Sequence, residues 1–221
     1  MRLIFALTAL VALTAATPAR DWSKTTTRTA TGAYLTGNSA ARVKVIEYSS
    51  FTCPHCGHFA VQSAPILKAQ MIARGSTSLE VRNLVRDRLD LAAAIVARCG
   101  DVNRYPVRSL AIFTAQDQWL ARGAAFEQAN QERIALYPML AQLRAYADGA
   151  GLTAIGTANG LTPKAIDACF VDQAAVDALV DASSSIPPEV TGTPTFYING
   201  RVTPAHDWAT LQPLLRTAGA R

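Results

Sequence analysis

Residues 47–59 read EYSSFTCPHCGHF. The stretch closes a run, ARVKVIEYSSF over 41–51, that is β-branched and nearly continuously apolar, as a strand at the centre of a sheet should be. Pro54 then stands where a helix has its first turn, a position that loses nothing by lacking an N–H. HFAVQSAPILKAQMIARG carries apolar residues at helical spacing, so a helix is predicted from Pro54 to about Ala73, bending near Pro65 and stopping at Gly75. Two cysteines, Cys53 and Cys56, therefore sit at a strand-to-helix junction. Such a pair can be a metal clamp, a structural staple or a reversible disulfide.

A cysteine thiolate at the first turn of a helix is stabilised by unpaired backbone N–H groups and by the positive end of the helix dipole. Cys53 is at that point, and His55 can add a hydrogen bond or positive charge to its sulfur. A stabilised thiolate is a good leaving group, so a Cys53–Cys56 disulfide is expected to be easily attacked and oxidising. Cys56, one turn further in, is expected to be less exposed and to act as the resolving thiol. A zinc site needs further ligands at suitable spacing, and the chain has no second CxxC, so no metal and no cofactor are assigned. A structural role is disfavoured because the bridge would close a very short loop.

Working outward, AYLTG (33–37) is predicted as a first strand after the polar lead-in SKTTTRTATG, and SLEVRNLVR (78–86) alternates as another. From Asp87 the composition turns to Ala-rich helical segments: LDLAAAIVARC, YPVRSLAIFTAQDQW, ERIALYPMLAQLRAYADGAG, TPKAIDACFV and AAVDALVDASSS. Thr162 followed by Pro163 is a helix cap with proline at the first helical position. PTFYINGRVTPA then reads as a hairpin turning at Asn199–Gly200, and DWATLQPLLRTAG as a last helix capped by Asp207. The expected division is a signal peptide over 1–19, an α/β part over 29–86, a helical insertion over 87–186 and a second α/β part over 187–221.

The N-terminal LIFALTALVAL followed by TAATPA is the pattern of a secretory signal peptide, too short for a membrane span. The 221-residue chain carries a formal net charge of +5, with Lys and Arg scattered, which gives no footprint for nucleic acid. An exported chain can use disulfides. Cys99 and Cys169, the other two of four cysteines, are expected to form a structural disulfide within the helical block, the alternative being two buried free thiols.

EYSSFTCPHCGHF together with GTPTFYING (192–200) resembles the DsbA-type thiol:disulfide oxidoreductases of the bacterial periplasm. The resemblance spans most of the mature chain and implies a thioredoxin fold with an inserted all-helical domain, located in the periplasm. It implies Cys53 as nucleophile, Cys56 as resolving thiol in a Cys53-Pro54-His55-Cys56 motif, and Pro194 as a cis-proline facing the disulfide. A cis bond there would turn the Thr193 backbone outward to pair with an extended substrate segment. Glu47 is reached from two sides: strict alternation puts it on the face of Val43 and Val45, and the family carries an acidic residue beneath the active site. It is assigned as proton relay for Cys56. The resemblance does not decide the Cys99–Cys169 pairing.

The expected activity is donation of the Cys53–Cys56 disulfide to cysteine-containing exported proteins, with a membrane redox partner for reoxidation and a monomeric chain. Reductase or isomerase activity is the alternative, because Thr193 stands where the best-known oxidases have valine. The short lead-in leaves no room for an isomerase-type dimerisation domain. A peptide-holding chaperone module is the remaining alternative. His58 is read as a plain surface residue or a substrate contact, and His206, Trp22, Trp119 and Trp208 as surface or packing residues.

Overall fold

The computed structural model describes residues 20–221, so the expected signal peptide lies outside the described residues. The chain runs β1 (Thr26–Arg28), β2 (Tyr34–Gly37), β3 (Val43–Ser49), α1 (Pro54–Ser63) and β4 (Thr77–Asn83), then seven helices: α2 (Arg88–Arg98), α3 (Tyr105–Thr114), α4 (Gln116–Ile134), α5 (Met139–Ala150), α6 (Leu152–Ala158), α7 (Pro163–Cys169) and α8 (Gln173–Ser184). It returns through β5 (Thr195–Ile198) and β6 (Arg201–Val202) to α9 (Trp208–Thr217). The six strands are ordered β1-β2-β4-β3-β5-β6. β3 pairs in parallel with β4 and antiparallel with β5, so Glu47 lies between Val81 and Phe196.

The expected central strand is thus central. Val43 and Val45 on one of its faces pack with Phe59, Leu67, Met71, Phe196, Leu211 and Leu215, which come from the active-site helix, β5 and α9. Tyr48 on the other face meets Tyr197 and Val190. Past Ser63 the active-site helix continues to Ile72 as a π-helical segment beginning at Ala64. Pro65 has no N–H for the ordinary ladder, and the wider turn is the local answer where a bend was expected. Gly75, at φ +79°, ends the run in a conformation that side chains disfavour. Asn199 and Gly200, at φ +50° and +81°, make the expected two-residue hairpin turn.

Several elements differ from the sequence reading. The segment read as helical over 105–119 breaks at Ala115, between α3 and α4. β1 lies inside the lead-in that read as irregular: Thr26 pairs with Thr36, their hydroxyls 3.1 Å apart, and threonines on an edge strand give no apolar alternation to detect. The helix expected over 132–151 is broken, α4 ending at Ile134 and α5 starting after Pro138, whose extended backbone cannot continue a helix. α6 was not expected. It follows directly on Gly151, which takes φ +80° and reverses the chain.

The insertion has its own core, in which Ile112, Trp119, Leu143, Tyr146 and Leu152 surround the alanine-rich α2. Buried Arg108 closes the end of α2 by donating to the carbonyl oxygens of Ala97 (3.1 Å), Cys99 and Asp101 (3.0 Å). Cys99 and Cys169 are joined in a disulfide between the end of α2 and the end of α7, their Cα atoms 5.8 Å apart. Among the described residues no helix is long and apolar enough to cross a membrane.

Candidate active site

β3 delivers the chain to Ser49, and a short loop, Ser50–Thr52, hands it to Cys53. Cys53 is the N-cap of α1 with extended backbone (φ −88°, ψ 116°), and Pro54 occupies the first turn. The Thr193–Pro194 peptide is cis and the carbonyl oxygen of Thr193 lies 3.2 Å from Cys53 Sγ. The two thiols are unbridged and buried, Cys53 at 3% exposure and Cys56 at 0%.

The two thiols are pushed apart in acidity. The Cys56 thiol is the largest influence on Cys53, and outweighs burial. With contributions from the side chain of Thr193 and the backbone N–H groups of Cys56 and His55, it brings the Cys53 pKa down to about 4. The Thr193 carbonyl pulls the other way, since it can accept only from a protonated thiol. Burial drives Cys56 far upward, aided by its bond to Cys53 and by the charge of Glu47. His55 and Pro54 are exposed. The backbone N–H of His55 supplies one hydrogen bond of the kind the sequence allowed this residue.

Glu47 is 4% exposed. Burial pushes its carboxyl up to about 7, the Ser49 hydroxyl pulling it down and the charge of Cys53 raising it further. It lines a cavity of about 90 Å³ together with Ser49, Tyr105 and Ser109. Glu47 Oε1 and the hydroxyl oxygens of those three residues have no hydrogen-bond partner among the described residues. These polar atoms share the cavity with a mostly apolar lining that includes Phe51, Phe59, Leu67, Leu79, Val81 and Phe113.

Sequence reasoning missed the groups that fix the loop before Cys53. All come from the insertion. Asp90, 1% exposed, accepts from Ser50 Oγ (2.6 Å), Phe51 N (2.8 Å) and Arg86 N (3.0 Å); burial nevertheless raises its pKa to about 6. Asp87, the N-cap of α2, accepts from Thr52 Oγ1 at 2.9 Å. Gln116 Nε2 donates to the carbonyl oxygens of Phe51 (2.7 Å) and Cys53 (2.9 Å). A Cβ on Gly57 would stand 2.3 Å from Gln116 Oε1, so the helix reaches Gln116 only because residue 57 is glycine. The one signal in the sequence was the Asp90 carboxylate inside the otherwise apolar LDLAAAIVA.

His58 is exposed, beside a shallow groove with Val61, Gln62 and Asp117. His206 is exposed next to Asp207, and Trp119 and Trp208 are buried packing residues. Trp22 lies beneath the guanidinium of Arg20. Among the described residues no cluster of three or more His, Cys, Asp or Glu is placed to hold a metal ion.

The chain resembles known proteins in sequence and fold. A Novosphingobium aromaticivorans protein described as a protein-disulfide isomerase has a structure matching 84% of this chain and 96% of its own, with 32% identity and a TM-score of 0.76. Wolbachia pipientis α-DsbA1, at 22% identity and a TM-score of 0.65 over 83% of this chain and 89% of its own, shares the fold. A Rickettsia bellii protein provisionally named protein-disulfide oxidoreductase is 30% identical over 167 residues, which are 74% of this chain and 56% of that one. The chain thus spans about half the length of the curated relatives it matches. The thioredoxin family model matches residues 29–217, strands and helical insert together, and the chain belongs to the thioredoxin family, with a DsbA-like fold.

Proposed function

We propose that the protein is a thiol:disulfide oxidoreductase that donates the Cys53–Cys56 disulfide to exported, cysteine-containing proteins in the periplasm. The observation that carries this is the opposed acidity of the two thiols, Cys53 low and Cys56 high, at one helix start. A substrate thiolate attacks Cys53 Sγ, the Cys53–Cys56 bond breaks, and its electron pair leaves on Cys56. That sulfur is basic and needs a proton, which Glu47, buried and titrating near neutrality, supplies. A second substrate thiolate then attacks the substrate sulfur of the mixed disulfide and expels Cys53 as a stable thiolate. Two electrons have passed to the Cys53/Cys56 pair, and a membrane partner must remove them. Thr193 and the cis-proline border the attacked sulfur and offer backbone to an extended substrate segment. The protein works as a monomer, and residues 1–19 are its export signal.

The deciding experiment is the reduction potential of the pair in glutathione buffers. Values established for DsbA and thioredoxin themselves, about −120 and −270 mV, bracket the scale. A donor lies toward the first. A second reading, isomerase, is favoured by the description of the Novosphingobium relative and by Thr193 before the cis-proline. A potential toward the thioredoxin value, together with reactivation of a scrambled disulfide protein, would establish it instead.

A further inference from the structure

Away from the cysteines, a cleft of about 580 Å³ opens between the β1–β2 turn, the ends of β3 and β4, the end of α2 and one side of α8. Three arginines line it: Arg28, Arg82 and Arg98. Arg82 is already neutralised, donating to Glu80 Oε1 at 2.8 Å and to the Tyr48 hydroxyl at 2.9 Å. The other two are not. Among the described residues neither Arg28 nor Arg98 has a carboxylate within ion-pair distance.

Both guanidinium groups converge on Gly32, their Nη2 atoms lying 3.9 Å (Arg28) and 3.8 Å (Arg98) from the point a Cβ there would occupy. Arg98 is held firmly. Its Nη1 donates to Asn83 Oδ1 at 3.0 Å, its Nη2 to the Gly32 carbonyl at 2.7 Å, and its plane lies over the Tyr34 ring at 4.7 Å. Burial lowers the pKa of Arg98, and the charge of Arg28 adds to that effect. Two like charges thus face one gap, one of them partly desolvated and neither compensated, an arrangement that costs stability until an opposite charge enters. A fixed guanidinium fork with donors to spare matches the oxygen spacing of carboxylate or phosphate. The same two arginines also line the adjoining cleft beside the Cys99–Cys169 disulfide, so the gap between them is reached from two sides. The single carboxylate lining the main cleft, Asp181, is exposed on α8.

We infer that this cleft binds a small oxyanion, a carboxylate or phosphate group held between Arg28 and Arg98. The test is a titration of the isotope-labelled full chain with sodium phosphate and, separately, with sodium succinate, at ionic strength held constant with chloride. The amide signals of Gly32, Asn83 and Arg98 are expected to shift and saturate, and whichever anion saturates at lower concentration identifies the ligand chemistry. Arg28→Gln changes an exposed edge-strand residue and should weaken binding about tenfold, the size of one charge-assisted hydrogen bond. Asp181→Asn, which removes the one carboxylate of the main cleft and leaves Asp172 of the adjoining cleft in place, should tighten it. Shifts that never saturate with either anion, or an Arg28→Gln variant that binds as well as the parent, would overturn the inference.

Discussion

At the scale of single residues the site depends on where one proton sits. With a Cys53 pKa near 4 against an ordinary 9.0, the reduced protein should show thiolate absorbance and full reactivity toward iodoacetamide from about pH 6 upward, with a midpoint near 4. The sign for stability follows from the depressed value: the thiolate stabilises the folded reduced form increasingly as pH rises from about 4, fully above the unfolded value, and that gain is lost as pH falls through 4. Urea unfolding of the reduced and oxidised forms at pH 4 and pH 7 should show the reduced form improving its relative standing at the higher pH. Glu47→Gln should slow the step that expels Cys56 by roughly a hundredfold and remove its titration near pH 7, as expected for loss of a general acid. Stopped-flow rates of substrate thiol attack across pH 5–9 check this, and an unchanged profile would exclude Glu47 as relay. Cysteine spacing and strand alternation made Cys53, Cys56 and Glu47 legible in the sequence. For His55 the sequence allowed a hydrogen bond or a charge on the sulfur without choosing between them, because a residue letter says nothing about which of its groups faces that atom.

Between elements, the contact that matters most joins α4 to α1 through Gln116 and Gly57. Gln116→Ala leaves the buried carbonyl oxygen of Phe51 unpaired and that of Cys53 with only its bond from Gly57 N at 3.2 Å, and should cost about 1–3 kcal/mol in chemical denaturation. Gly57→Ala drives a Cβ into the same amide and should cost a similar amount. Because both changes break one contact, the double variant should cost little more than either alone. Strong periodicity made β3, α1, α2, α8 and α9 readable, along with the Asn199–Gly200 turn. β1 escaped because edge pairing by threonine leaves no apolar pattern. The clamp escaped because Asp87, Asp90 and Gln116 meet the loop only through tertiary packing, and nothing local distinguishes Gln116 from the polar surface of a long helix.

Across the whole molecule, the Cys99–Cys169 disulfide closes a segment of 70 residues inside the insertion. On a chain-entropy account such a loop is stabilising by roughly 4 kcal/mol. Replacing both cysteines with alanine should lower the urea midpoint accordingly, and a loss well below 2 kcal/mol would mean the insertion is held by its apolar core alone. The same architecture governs when the chain becomes reactive. The loop bearing Cys53 is fastened by side chains 35 to 65 positions further along, and its sulfur meets a backbone oxygen 140 positions further along. The bonds that lower Cys53 lie mostly within its own helix turn, but the burial that drives Cys56 upward needs the rest of the fold. A chain emerging amino end first therefore reaches the full divergence of its two thiols only late, and a half-made molecule exchanges disulfides with its own unfinished length or with its neighbours less readily than the finished one.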